Sequence, residues 1–252
     1  MRKILLSLLG VWGALFSAPV NNPLIPYLLD QGFCIEDTSW TSPQCGFSLD
    51  YLIEKKLRNS HSNHSLYLKK ATITGISEVG VFIWNIKERV NIQVNLGSGQ
   101  FSWNWFQKNE QIKGFARNGL LWGCDAKWTV LNIRDTFLSM DAQLGGWDWM
   151  DGPSTVNGVP SASRSQSLLR YWQVGGAATQ KIGIFAPYLG FAINQTRMKV
   201  WDLPSGTGRM RSKNEIGPFG GCTLSTGNRF LFNLEWRGWF EEGLSAAAHI
   251  RF

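Results

Sequence analysis

The chain has 252 residues and a formal net charge of +7, from 25 Lys and Arg against 18 Asp and Glu. Charged residues make up only 17%, yet there are 13 tryptophans, a balance unlike the roughly one-quarter charged composition of soluble domains. The basic stretches "EKKLR" (54–58) and "RMRSK" (209–213) are too short and too mixed for a basic footprint, which excludes nucleic acid as a partner.

In chain order, the first element is a secretory signal peptide over residues 1–18. Arg2 and Lys3 precede an uncharged apolar run from Ile4 to Phe16, and small Ser17 and Ala18 follow. That order of basic, apolar and small residues is the signature of export, and the run is too short to cross a bilayer. Residues 19–45 read as an N-terminal periplasmic segment, and residues 46–252 as a barrel. No later stretch is long and apolar enough for a transmembrane helix, so any membrane crossing falls to strands.

Alternation of period two recurs from residue 46 onward. Val90, Ile92, Val94 and Leu96 alternate with Asn91, Gln93 and Asn95; Trp122, Cys124, Ala126 and Trp128 alternate with Asp125, Lys127 and Thr129. Phe230, Phe232, Leu234 and Trp236 alternate with Asn233, Glu235 and Arg237. Ten strands follow, at 46–57, 77–86, 89–97, 116–131, 135–147, 167–179, 182–194, 213–224, 228–240 and 243–252. A further pair hidden in 98–115 would make twelve, and 67–75 would extend the second strand.

Short turns are expected at Ile86–Glu88, Asn132–Asp135, Thr179–Lys181 and Ser225–Asn228, and long outer loops at 58–67, 98–115, 148–165 and 195–212. Glu241 and Glu242 break this rhythm with a short link where a long one is due. The fold class is therefore all-β, an antiparallel transmembrane β-barrel of about ten strands. Trp103, Trp105, Trp147, Trp149, Trp201, Trp236 and Trp239 are expected in girdles at the membrane interfaces. The polar register supplies the candidate pore-lining residues Asn91, Gln93, Asn95, Asp125, Lys127, Thr129, Asp141, Gln143, Asn233, Glu235, Arg237 and Arg251.

The last strand alternates through Leu244, Ala246, Ala248 and Ile250 to Phe252. It would close the barrel against the first strand and remove both free edges. Its terminal aromatic looks like the C-terminal sorting signal of bacterial outer-membrane proteins, so the expected partners are outer-membrane lipid and the barrel assembly machinery.

Little speaks for catalysis. His61 and His64 lie in a polar loop, His249 near the periplasmic end, and no Ser-His-Asp set or phosphate loop is present. Asp148 and Asp151 are weak cation candidates, with turn capping the simpler role. No cofactor or metal is expected, and the chain does not read as an enzyme. Cys34, Cys45, Cys124 and Cys222 allow three full disulfide pairings. Cys34 and Cys45 are the disulfide candidates, joined to each other or to another envelope protein. Cys124 and Cys222 are expected outward-facing, on strands too far apart to bond.

The segments "APVNNPLIPYLLDQGFCIEDTSWTSPQCGFSLDY", "FIWNIKERVNIQVNLG", "GLLWGCDAKWTVL", "LLRYWQ", "IFAPYLGFAINQTRM" and "AAAHIRF" together resemble the chlamydial major outer membrane protein family, as a short member. The resemblance is collinear over most of the chain. It implies a bacterial outer-membrane porin for small solutes or ions, a trimeric homo-oligomer, and a structural envelope role through cysteine cross-links. Cys34, Cys45 and Cys124 match cysteine-bearing positions of that family, and Cys222 falls near another. The alternative reading is a non-conducting structural or adhesive barrel.

Overall fold

A computed structural model describes residues 43–59, 68–86, 90–107, 110–203, 206–213, 215–225, 230–239 and 241–251. The expected signal peptide, Cys34, His61, His64 and the terminal Phe252 lie outside these residues. The described part is all-β. Its strands are β1 Pro43–Asn59, β2 Leu68–Ile86, β3 Val90–Gln107, β4 Glu110–Ile133, β5 Thr136–Val156 and β6 Val159–Gln180. They continue as β7 Phe185–Leu203, β8 Gly206–Ser212, β9 Ile216–Ser225, β10 Phe230–Arg237 and β11 Glu242–Arg251. Every pairing is antiparallel, and β11 returns to β1 to close the sheet.

Strands β8 and β9 occupy one position in the wall. Both pair with β7, first Arg197 with Arg211 and then Ile193 with Ile216, across a break at 213–215. The barrel therefore has ten wall positions near the end where β1 begins and β11 stops, here called the inner end. Toward the outer end it has eight. The β10–β11 hairpin stops short, and above its tip β8 pairs directly with β1 through Leu57–Ser212, Arg58–Arg211 and Asn59–Met210. Both flanking strands are irregular at this fork: β1 shifts register between Leu52 and Glu54 as it leaves β11, and the opposite strand breaks between β8 and β9. The short link at Glu241–Glu242 thus has its reason. It is a hairpin tip beneath a seam and never reaches the outer rim.

Three of the four expected long loops are corrected by the structure, while 58–67 lies mostly outside the described residues. Residues 98–115, 148–165 and 195–212 are mostly strand, because β3 to β8 run on past the membrane-length core. No extra strand pair lies in 98–115; β3 and β4 simply lengthen, with Gln107 paired to Glu110. Residues Leu68 onward extend β2, as expected. The β5–β6 connection is a two-residue turn, Asn157 (φ 51°) and Gly158 (φ 83°). Both central residues sit at positive φ, the turn whose twist suits a hairpin and which Asn-Gly favours.

Outward side chains form an apolar wall that includes Val94, Leu96, Trp128, Leu138, Leu144, Leu189, Phe191, Leu234 and Leu244, all exposed. On β7 this belt runs from Phe185 to Ile193, about 27 Å along the strand at about 3.4 Å per residue, suiting a tilted membrane crossing. The girdle expectation holds only in part. Trp236 and Trp239 are exposed, whereas Trp103, Trp105 and Trp147 are buried inside the barrel. Their register overrides their residue type: each shares parity with an inward polar residue on its own strand. Trp149 has no described side chain.

Candidate functional site

The interior has two layers. At the inner end it is polar. Asn91, Gln93, Asn95, Asp125, Lys127, Thr129, Asp141, Gln143, Asn233, Glu235 and Arg237 all face inward and are buried, as is His249. Arg251 lies in β11, but its side chain is outside the described set. These residues occupy the lumen wall by alternation, yet they do not border open space. Lys127, Asn91 and Arg237 are 0% exposed. They face the lumen, as expected of the polar register, and are packed among one another inside the barrel.

The filling is hydrogen-bonded across strands. Gln93 Nε2 donates to Asn95 Oδ1 (2.8 Å), and Asn95 Nδ2 to Asp125 Oδ2 (3.3 Å). Asn194 Nδ2 donates to Gln173 Oε1 at 3.1 Å. On the other side a continuous chain runs from Thr223 Oγ1 to Asn233 Oδ1 (2.8 Å), from Asn233 Nδ2 to Tyr188 OH (3.0 Å) and from Tyr188 OH to Glu235 Oε2 (3.0 Å). It ends at the hairpin tip, where Arg237 Nε lies 4.0 Å from Glu235 Oε1 and 3.1 Å from Glu241 Oε1. Arg237 and Glu241 are fully buried under the β1–β8 seam, so the fork is closed by an ion pair that water does not screen.

Toward the outer end the interior turns apolar. Phe101, Trp103, Trp105, Trp147, Ile73, Ile112, Met198, Val200 and Met210 form one buried cluster. Phe101 and Trp147 stack with centroids 6.0 Å apart, and Trp103 and Trp105 tilt together at 5.1 Å. Glycines make the room. A Cβ on Gly114 would strike the Trp103 ring, and one on Gly208 would strike Trp105. Gly208 is on β8 and Trp105 on β3, so this indole spans the lumen from wall to wall.

Two of the remaining candidates are structural. Asp148 receives Trp122 Nε1 (3.0 Å) and pairs with Arg170 Nη1 (2.5 Å), whose guanidinium stacks 5.3 Å from the Trp122 ring. Asp151 pairs with Arg164 at 3.3 Å. Both aspartates lie within β5, so neither caps a turn. Among the described residues no group of His, Cys, Asp and Glu is arranged to hold a metal. Cys124 and Cys222 are free and face outward on β4 and β9, four wall positions apart. Cys45 pairs in register with Ile250 and Phe82; its expected bond to Cys34 falls outside the described residues.

Sequence reasoning missed the aromatic layer and Tyr188. The signal for the first was present. Counting on in twos from Asn91, Gln93 and Asn95 reaches Phe101, Trp103 and Trp105, and from Gln143 it reaches Trp147.

No family model matches the chain, and no curated protein does. Solved structures do. The outer membrane protease OmpT from Escherichia coli superimposes with a TM-score of 0.52 at 11% identity, over 86% of this chain and 99% of that one. The fold is that of an outer-membrane β-barrel. The translocator domain of the autotransporter NalP from Neisseria meningitidis matches with a TM-score of 0.44 at 10% identity, over 86% of this chain and 90% of that one. The toluene transporter TbuX of Ralstonia pickettii gives 0.39 at 8%, over 96% of each chain. At these identities the likeness is one of fold.

Proposed function

We propose that the protein is a sealed β-barrel of the bacterial outer membrane, with a structural role in the envelope and no standing aqueous channel. One observation carries this reading: Phe101, Trp103, Trp105 and Trp147 form a layer across the barrel in which none is more than 2% exposed. Beneath it part of the polar layer is hydrogen-bonded, from Gln93 through Asn95 to Asp125 and from Thr223 through Asn233 and Tyr188 to Glu235. A ten-position barrel lies between small barrels filled by their own side chains and the sixteen-stranded class that leaves a channel, and the buried aromatic layer supports grouping this chain with the former. The apolar outer wall supports membrane residence.

The test is planar-bilayer conductance of the refolded chain. A sealed barrel gives no stepwise current, and stable open-channel steps would overturn the reading. Passive diffusion of small solutes or ions is the second reading, favoured by the polar inner layer from Asn91 to His249. It requires the aromatic layer to move aside, and the same recording separates the two. Kinship with the chlamydial major outer membrane proteins, a trimeric state and cross-linking through Cys34 and Cys45 belong to this proposal as well. Non-reducing electrophoresis of envelopes, with and without Cys34→Ser, tests the cross-link.

A further inference from the structure

Just outside the apolar belt, four arginines fall in one row across four neighbouring strands. Arg170 on β6 is opposite Arg197 on β7, Arg197 is opposite Arg211 on β8, and Arg211 is opposite Arg58 on β1. One outward position further along, Lys199 is opposite Arg209. Arg197 and Arg209 are exposed; Arg170, Lys199 and Arg211 are half-buried, with the inward residues Met198, Val200, Met210 and Ser212 between them. Like charges directly opposite on a sheet repel, so a row of this kind costs stability unless something anionic meets it.

Among the described residues that compensation is incomplete. Asp148 neutralises Arg170. Arg197 donates from Nε and Nη2 to the neutral Gln195 Oε1 (3.2 and 3.0 Å), while Gln195 in turn reaches Glu215 at 3.5 Å. The Lys199 ammonium lies 4.2 Å from the centre of the Trp201 ring. Arg211 Nε is buried and has no hydrogen-bond partner among the described residues. Immediately below the row the outer wall is apolar, with Ile193, Phe191, Trp172 and Ile216 exposed. Cationic forks above a greasy wall match an amphiphile whose head carries phosphate and whose tails are hydrocarbon.

We propose that the cluster of Arg197, Lys199 and Arg211 binds the phosphate-bearing headgroup of a lipid in the outer leaflet around the barrel, its acyl chains lying against the wall below. This rests on the membrane placement above. The experiment is native mass spectrometry of the refolded full chain, offered diphosphorylated lipid A or phosphatidylcholine, for the wild type and for Arg197→Gln/Lys199→Gln/Arg211→Gln. Lys181→Gln, at the opposite end of the barrel, is the control.

The wild type and the control should hold lipid A in preference to phosphatidylcholine. The triple variant should lose that preference by roughly fivefold for each charge removed, with heat-modifiable gel migration unchanged. If the triple variant does not refold, the exposed Arg197→Gln alone should show the single-charge loss. Equal retention of lipid A by wild type and variant would overturn the proposal, as would equal loss in Lys181→Gln. Complete displacement by inorganic phosphate would overturn the lipid assignment in favour of a free anion. Equal retention of both lipids would sink the cluster alone, whereas a wild type retaining neither lipid would sink the membrane reading with it.

Discussion

Trp103 on β3 lies directly across from Gly114 on β4, and its indole occupies the space that a side chain on Gly114 would need. The pair is a ring laid on a bare stretch of backbone inside the wall. Gly114→Val should therefore destabilise the folded barrel by about 1–3 kcal/mol through overpacking, read as a lower urea midpoint of the heat-modifiable form. Adding Trp103→Val to that variant should recover part of the loss. A Gly114→Val chain as stable as the wild type would mean that Trp103 does not sit where the structure has it.

The outer wall predicts a depth dependence. Val94 is exposed in the middle of the belt on β3, while Ser98 lies two outward positions along. Val94→Arg should cost about 2–4 kcal/mol, and Ser98→Arg about 0–1 kcal/mol. Equal costs, measured by unfolding from lipid vesicles, would show that this face does not meet hydrocarbon.

The ion pair at the hairpin tip is a third test. Arg237→Ala takes the guanidinium away from the buried Glu241 carboxylate, which should cost about 3–5 kcal/mol. The double change Arg237→Met with Glu241→Gln should cost clearly less than the two single changes added together. Additive losses in a double-mutant cycle would indicate that the two side chains do not interact.

Cys124 and Cys222 sit on the outer wall, four wall positions apart. Non-reducing peptide mapping of the monomer should yield no Cys124–Cys222 linkage, because a disulfide needs Cα atoms within about 7 Å. An uncharged maleimide that enters the lipid should label Cys124 faster than a charged one of equal reactivity.

Most of the fold could be read from alternation alone, and the ten expected strands correspond to the ten wall positions. The strand ends could not. Beyond Leu96 the outward residues are Ser98 and Gln100, so the apolar signal that marked β3 fades while the strand continues as far as Gln107. Its pattern there is carried by the inward Phe101, Trp103 and Trp105; residue type alone suggests a girdle for the two tryptophans, while parity puts all three inside. The β5–β6 turn was also legible, since Asn157–Gly158 between Val156 and Val159 is a hairpin signal, but it was obscured by the polar residues on either side. Tyr188 and the Arg197–Arg211 row were out of reach. The partners of Tyr188 lie on β10, two wall positions away; the Arg197–Arg211 pairing depends on the β7–β8 register, and its extension to Arg58 on β8 meeting β1, which is decided by the short hairpin beneath.

That fork bears on how the chain assembles. Nearly every strand finds its partner next to it in sequence, so most of the sheet can zip up locally. Two contacts cannot: β1 with β11, and β1 with β8. Both join distant parts of the chain and carry the largest loop-closure entropy. The β1–β8 seam is three rungs long, too brief to hold the ring unaided, and it forms only where β10 and β11 have run out. Closure then works as a clasp. The final hairpin is slotted between β9 and β1, and the seam above fastens the ring over Arg237 and Glu241.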